Sequence, residues 1–536
     1  MTSLLPTASL TQRILPFRPA PDPEIEALLR SNLPPSEAQE AFFRETRCTG
    51  KPRLAELETR IADAQAKLDV LLQERDSLVW NLQRCTDVLN PVRRLPSDVL
   101  CEIFAHSMTG PENSYSFVGG TKPRSARISV PCQWKLGRVS MNWRYTALTY
   151  PRMWSMIDFT FWPYTSRGKT RVDDQLPLGV ARLLAMHIYR SANHLLRVRL
   201  QGDIPEPLLL ILISASYRWK HLCLDGHHLR TVDSPLDALV SFQYILNEYG
   251  FETIHERLPL LRDVTSLRRL IVDKLYPVVR PGLVIIPWTQ ICSVVVTESF
   301  PDKDAIALIK LAPKLDAVEF LHVNHSPPDP SHIAPNSVHS TSLKSFSLNV
   351  KLPDTERGPR TKYPSTVTVL FDSLTLPALE HFRIDFGGAC GLSESITRLL
   401  RRSQCVLKRL ALIGASTDDL EELIGADEFQ NLEEFLIEKL ENAAHLQSVL
   451  ELLTESAGLP RLRIVEIDAS AIVDSIGTCQ DAVIQFMESY QVTNEGCGRL
   501  ESLTLRAPAD FEISEVNIQR LEALRSLGTR FYIYRH

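Results

Sequence analysis

The chain has 536 residues and a formal net charge of -5, so it lacks the basic excess of a nucleic-acid-binding surface. Its longest purely aliphatic run, Leu208 to Ile213, is far too short to span a bilayer. The ten cysteines include no Cys-x-x-Cys pair, which favours neither a zinc site nor a disulfide framework. These features predict a cytoplasmic or nuclear protein that binds neither nucleic acid nor membrane.

Residues 1–35 are expected to be loosely ordered, with one short helix from Glu24 to Ser31. Prolines recur throughout residues 1–23, and this stretch has no sustained apolar core. It therefore does not resemble a secretory signal.

Residues 36–90 carry a heptad pattern. Apolar side chains recur every seven positions from Leu54 to Leu89, a second set follows three positions later, and Arg75 is a charged interruption. Such a seam packs against another helix. The first set is Leu54, Ile61, Leu68, Arg75, Leu82 and Leu89, and the second is Leu57, Ala64, Leu71, Leu78 and Cys85.

Two arrangements would cover this heptad seam. It forms a coiled-coil dimer, or it packs within the chain, on the helices that follow or on a shorter helix at Pro35 to Cys48. The Gly50-Lys51-Pro52 sequence permits the break that such a helical hairpin needs.

Residues 91–158 read as a set of short helices. Leu95-Pro96 opens a helix whose Val99, Leu100, Ile103 and Phe104 share one face. A second helical segment runs from Val139 to Leu148 and is followed by Pro151-Arg152-Met153-Trp154. A polar insertion at 109–131 separates the two. Helices this short bury little apolar surface alone, which predicts docking onto a partner.

This order of segments resembles the F-box, a helical module that binds a Skp-type adaptor of a cullin-RING ubiquitin ligase. The Pro91-Val92-Arg93-Arg94-Leu95-Pro96 sequence resembles the junction after a heptad helix in F-box proteins of mushroom-lineage fungi. Ser140 stands where the family usually has a cysteine. The resemblance assigns the adaptor-binding surface to Leu95, Pro96, Leu100, Ile103, Phe104, Val139, Trp143, Arg144, Pro151 and Trp154.

The remaining chain, residues 176–536, repeats an apolar-x-x-apolar-x-apolar pattern. Most starts lie 24 to 38 residues apart, close to the period of leucine-rich repeats, and a 48-residue gap after Trp219 predicts one hidden repeat. The pattern occurs at Leu195/Val198/Leu200, Trp219/Leu222/Leu224, Leu267/Leu270/Val272, Ile291/Val294/Val296, Leu315/Val318/Phe320, Leu343/Phe346/Leu348, Leu379/Phe382/Ile384, Leu407/Leu410/Leu412, Leu432/Phe435/Ile437, Leu462/Val465/Ile467 and Leu500/Leu503/Leu505.

The expected fold class is therefore α/β: a long N-terminal helix or coiled coil, a small all-α F-box, and an irregular leucine-rich-repeat solenoid with a parallel sheet. The resemblance implies a substrate-recognition subunit of a Skp-cullin-F-box ubiquitin ligase, whose repeats bind an unidentified target protein. The alternative is a coiled-coil and repeat scaffold with no ligase role. No phosphate loop, Gly-x-Ser-x-Gly or His-Glu-x-x-His motif is present, so we expect no catalytic residue, metal or cofactor.

Overall fold

The computed structural model gives a mixed α/β protein of two compact units, Met1–Pro96 and Ser97–His536. The structure describes residues 23–31, 34–108, 115–118, 132–162, 178–202, 204–225, 232, 234–245, 261–273, 286–298, 302–324, 336–351, 366–387, 391–440, 442–455, 459–472, 479–492, 500–508, 511 and 513–535. Of the expected loosely ordered segment, residues 1–22, 32 and 33 lie outside this set.

The described residues of the first unit form two α-helices, α1 (Pro23–Ser31) and α2 (Glu37–Leu89), followed by a 3-10 helix, Pro91–Arg94. A reciprocal cap begins α2: the Gln39 backbone N–H donates to Ser36 Oγ, and the Ser36 N–H donates to Gln39 Oε1 at 3.0 Å. Asn90 ends α2, and its Oδ1 accepts from the Val92 N–H at 3.0 Å.

Helix α2 runs without a break through Gly50-Lys51-Pro52. The hairpin alternative is therefore wrong, because the proposed short helix from Pro35 to Cys48 is largely the first part of α2 and cannot fold back on the rest. One internal proline costs a helix about 3 kcal/mol, and Pro52 is followed by strong helix formers along a 53-residue helix. No side chain of α2 is buried. The dimer alternative stays a prediction.

The second unit begins with short helices and continues into alternating strands and helices. Its α-helices are α3 (Ser97–Ser107), α4 (Cys132–Leu136), α5 (Met141–Thr149), α6 (Pro151–Trp154), α7 (Leu178–Arg190), α8 (Glu206–Ile213), α9 (Asp302–Leu311), α10 (Thr366–Ser373), α11 (Ser393–Ser403), α12 (Thr417–Ile424), α13 (Ala443–Glu455), α14 (Gln480–Val492) and α15 (Glu515–Ser526). Its 3-10 helices are Ser216–Arg218, Trp288–Gln290 and Asp427–Phe429.

The strands form a 15-stranded parallel sheet in chain order and a separate parallel pair of β9 with β11. The strands are β1 (Tyr115–Val118), β2 (Met156–Trp162), β3 (Leu196–Gly202), β4 (Trp219–Asp225), β5 (Ser241–Ile245), β6 (Arg269–Val272), β7 (Ser293–Val296), β8 (Ala317–Asn324), β9 (Val338–His339), β10 (Ser345–Lys351), β11 (Leu374–Thr375), β12 (His381–Asp385), β13 (Arg409–Ile413), β14 (Glu434–Glu438), β15 (Ile464–Asp468), β16 (Ser502–Ala507) and β17 (Arg530–Arg535).

Each of the apolar repeats predicted from sequence coincides with a strand of this sheet or with the residues just before it. The 48-residue gap contains β5, whose Phe242 and Tyr244 are buried together with Leu239 just before the strand. Leu239, Phe242 and Tyr244 follow the same apolar-x-x-apolar-x-apolar spacing as the other strands, so the sequence prediction overlooked a usable signal here.

Two expectations need correction. Leu195 was expected to face the core, but it is 48% exposed, and Leu196 is fully buried in its place because the register between β3 and β4 shifts at this point. The polar insertion at 109–131 was expected to be a loop, but residues 115–118 form β1, which pairs with β2. Its other residues, 109–114 and 119–131, lie outside the described part.

The core lies between the sheet and its connecting helices, and aromatic rings connect neighbouring repeats within it. Phe346 on β10 stacks on Phe382 of β12 at 5.9 Å between ring centres, and it contacts Phe320 of β8 edge-on at 5.8 Å. Phe371 on α10 adds a third neighbour at 6.3 Å. All four rings are buried, so β8, β10, β12 and α10 share one aromatic part of the core.

Hydroxyl groups also connect neighbouring repeats. Ser342 Oγ lies 2.9 Å from the carbonyl oxygens of both Pro313 and Leu315, and Ser266 Oγ lies 2.8 Å from that of Leu239. Each serine precedes a strand and reaches back to the preceding repeat. These bonds give carbonyl groups at the strand entries a side-chain donor from the following strand entry.

Within the described residues, no helix is both long and apolar enough to cross a membrane.

Candidate functional site

The helices at the start of the second unit form a small core of their own. Helix α3 packs against α5 and α6, and its Leu100 and Phe104 are fully buried. Trp143 of α5 lies edge-on to Phe104, with 5.2 Å between the ring centres. The one-faced spacing of these apolar residues along α3 therefore provides packing between helices.

Trp154, at the end of α6, joins this helical core to α7. Its indole N–H donates to the Ala147 carbonyl oxygen at 2.7 Å, and its ring meets Trp134 of α4 at 5.4 Å. From α7, the Arg190 guanidinium lies 4.7 Å from the centre of the Trp154 ring, and the ring centres of His187 and Trp154 are 5.0 Å apart. Burial of a large aromatic group with its N–H satisfied fixes the position of α6.

His187 is fully buried beside Trp154. Its Nδ1 lies 3.3 Å from the Trp154 carbonyl oxygen, which can only accept a hydrogen bond, so Nδ1 carries the proton. Burial lowers the pKa of this imidazole from 6.5 to about 4, because the surroundings disfavour its charged form. The contact therefore contains neutral histidine at neutral pH.

Ser140 has a structural role that accounts for its polar side chain. Its Oγ accepts from the Trp143 backbone N–H at 3.2 Å and caps the start of α5. Arg144 of the same helix donates from Nε to the Gly137 carbonyl oxygen at 2.9 Å, which ties the helix to the turn before it.

Apolar side chains also remain on the outside of these helices. Val99 and Ile103 are one turn apart on α3, and each is 40% exposed. On α5, Met141, Tyr145 and Leu148 follow the same helical spacing and are exposed, Tyr145 by 70%. A surface of this kind is typical of a site that binds another protein.

The residues predicted to bind an adaptor divide by burial. The buried ones are Leu100, Phe104 and Trp154, the half-buried ones are Leu95, Trp143 and Pro151, and the exposed ones are Pro96, Ile103, Val139 and Arg144. Packing brings Phe104 and Trp143 together, whereas Leu95 and Pro96 precede the second unit in the chain. The prediction omitted Met141, Tyr145 and Leu148, although their i, i+4, i+7 spacing was a usable signal.

The second candidate surface is the face of the sheet that points away from the helices. Between β6 and β13, aligned residues at the strand starts form one row with an arginine at each end and three small side chains and a histidine between them: Arg269, Ser293, Ala317, Ser345, His381 and Arg409. The long end residues and the short middle ones leave a cavity of about 360 Å³.

The charges around this cavity are partly paired. The Arg409 Nε lies 3.3 Å from Glu434, and the guanidinium of Arg383 lies 3.5 Å from Glu438. Glu319 lines the cavity as an acidic group. Arg269 lines the β6 end of the cavity, and among the residues that the structure describes it has no such carboxylate partner.

The described residues contain no group of three or more His, Cys, Asp or Glu side chains placed to hold a metal ion. Comparison with protein-family models and with curated proteins gives no match.

Proposed function

We propose that the protein is a substrate-recognition subunit of a Skp-cullin-F-box ubiquitin ligase. The helices α3 to α6 would bind the Skp-type adaptor, and the sheet would hold the target protein. The observation that carries this proposal is the pair of exposed apolar rows on α3 and α5, which lie over a buried core of Leu100, Phe104 and Trp154.

The proposal gives the predicted residues two different roles. Leu100, Phe104 and Trp154 hold the helices together, since they are buried, and Trp143 supports Phe104. Adaptor contacts would come from exposed side chains, with Ile103 at the centre and Val99 one turn away. The F-box resemblance also implies adaptor contacts by Leu95, Pro96, Val139, Arg144 and Pro151.

We propose that the parallel sheet and its helices form a leucine-rich-repeat solenoid, because the strands follow one another in chain order. Stacked repeats of this kind expose one broad face, and the cavity between β6 and β13 lies on it. The arginines at its ends favour acidic side chains of a target.

In this role the protein supplies no catalytic group. An adaptor bound at one surface and a target bound at the other raise the effective concentration of a target lysine near the conjugating enzyme. The rate of ubiquitin transfer then depends on holding both partners at once.

The test of this function is capture of a purified Skp-type adaptor by the full chain. We expect the wild type to bind, and Ile103→Asp to lose about 30-fold or more in affinity, because the new carboxylate would be buried at the interface. Replacing Leu95-Pro96 by Ala-Ala should also weaken binding. Ile103→Leu is the matched control and should bind like the wild type.

Near-ultraviolet circular dichroism from the buried tryptophans would show that each variant still folds. Unchanged binding by a folded Ile103→Asp variant would contradict the placement of the adaptor surface. A wild type that binds no adaptor would contradict the ligase role and leave the scaffold alternative.

A further inference from the structure

The heptad seam of α2 is exposed along its length. Its leucines and isoleucine between Leu54 and Leu89 are 40% to 65% exposed, and no side chain of the helix is buried. An apolar row of this length is unfavourable in water and is typical of a helix that pairs with another.

We propose that a second copy of this chain covers the seam and that the two helices run antiparallel. In the proposed register Leu54 lies level with the partner's Cys85, and Leu68 lies level with the partner's Leu71. Every seam position from Leu54 to Cys85 then faces a seam position of the other copy. This dimer does not rest on the proposed ligase function.

The seam provides close to the contact area that a stable dimer needs. Residues 54–89 extend over about 54 Å at 1.5 Å per residue, and a helix is about 10 Å wide. The contact therefore covers roughly 540 Å² of each helix, or about 1,100 Å² in total, close to the lower limit of stable interfaces at about 1,200 Å². Interdigitation of the side chains adds to this area.

Arg75 decides the orientation. In a parallel, in-register pair Arg75 would lie against the partner's Arg75 inside the seam, and like charges there repel. In the antiparallel register Arg75 lies level with the partner's Ala64, the smallest residue of the seam. The arginine stem can then cross a small side chain while its guanidinium, which pairs with Asp76 at 2.6 Å, stays in water.

The charges beside the seam select the register. In the proposed pairing Lys67 lies beside the partner's Glu74, and symmetry makes this ion pair twice. A shift of one heptad in either direction would instead place Glu74 beside the partner's Glu74, or Lys67 beside the partner's Lys67. Both shifts replace attraction by repulsion.

The first test is the association state of the full chain by light scattering at several concentrations. We expect a dimer, and we expect Leu71→Glu to weaken it at least tenfold because the substitution affects two symmetric Leu–Leu layers. Val70→Glu is the matched control: Val70 is 63% exposed but lies outside the seam, so its variant should dimerise normally. A wild type that stays monomeric, or a Val70→Glu variant that dissociates equally, would overturn the proposal.

The second test uses the exposed thiol of Cys85 as a reporter of orientation. The two Cys85 groups would face each other in a parallel dimer, but they lie about 46 Å apart in the antiparallel one. All proteins in this test carry Cys48→Ala, and the one with no further change is the parent. With a short thiol-to-thiol crosslinker, we expect no crosslink between the α2 helices of the parent. Leu54→Cys should crosslink efficiently with the partner's Cys85, and adding Cys85→Ala should abolish that product. Crosslinking of the parent through Cys85 would show a parallel dimer and overturn the antiparallel assignment.

A charge exchange checks the register independently. Lys67→Glu should weaken the dimer a few-fold, and the double variant Lys67→Glu/Glu74→Lys should restore it. Failure of the second substitution to restore the dimer would contradict the register.

Discussion

The long helix α2 and the parallel sheet both repeat leucine at regular intervals, yet the two sets of leucines differ in burial. The leucines along the seam of α2 are at least 40% exposed, whereas Leu343, Leu379 and Leu407 at the strand starts are fully buried. In the sheet, the next repeat of the same chain covers each apolar side chain. In α2, no side chain is buried. A regular apolar period shows that a partner is needed, and the fold determines whether the chain itself supplies it.

The largest difference between the two regions should appear on truncation of a buried ring. Phe346→Ala removes the side chain that contacts Phe320, Phe371 and Phe382, and we expect it to lower the free energy of unfolding by about 3–5 kcal/mol. Urea denaturation of the full chain, followed by tryptophan fluorescence, measures the change.

The matched control is Leu68→Ala in the seam of α2. Leu68 is 55% exposed, so its truncation should leave the unfolding of the sheet unchanged. A loss at Leu68 as large as that at Phe346 would show that the seam stabilises the sheet, and the contrast between the two regions would then be wrong.

The second prediction concerns the buried imidazole of His187 on α7. Burial lowers the pKa of this imidazole to about 4, so between pH 6.5 and about 4 the unfolded chain binds a proton at His187 that the folded chain does not bind. The stability from neutral His187 is therefore complete above pH 6.5 and is lost as the pH falls from 6.5 to about 4. We expect a total loss of about 3 kcal/mol over this range, at 1.36 kcal/mol per unit of pKa.

His187→Gln isolates this effect, since carboxylates elsewhere also respond to acid. The variant is expected to be less stable at pH 7, and the gap between its urea midpoint and that of the wild type should narrow towards pH 4. Parallel stability profiles for the two proteins would show that His187 is not buried as a neutral group.

The sequence predicted the strands well because each strand carries its own signal. Leucine at the first position and apolar residues at the fourth and sixth positions place Leu315, Val318 and Phe320 on the core side, and this spacing is local. The signal failed where the local pattern was ambiguous. Leu195 and Leu196 are adjacent and equally apolar, and only the pairing with β4 decides which one is buried.

The candidate site was less predictable, because the F-box resemblance identifies residues without showing which of them face outward. Leu100 and Ile103 belong to the same apolar stripe of α3, but α5 and α6 cover the first and leave the second exposed. The cavity on the sheet was not predicted at all. It depends on which residues of neighbouring strands lie side by side, such as Ser293 and Ala317. These residues are far apart in the sequence, so a local pattern does not show that they are neighbours.

The smallest predicted effect concerns the hydroxyl groups that link neighbouring strands of the sheet. Ser342→Ala leaves the carbonyl oxygens of Pro313 and Leu315 without the Oγ donor at 2.9 Å, so we expect a loss of about 1 kcal/mol in the free energy of unfolding. The exposed neighbour Thr341 provides the control, and Thr341→Ala should change stability by less than about 0.5 kcal/mol. Hydrogen exchange of the β8 and β10 amide groups would show where the loss occurs. Equal protection in the wild type and in Ser342→Ala would mean that apolar packing alone joins these repeats, and the sheet would then differ from α2 only in having its partner in the same chain.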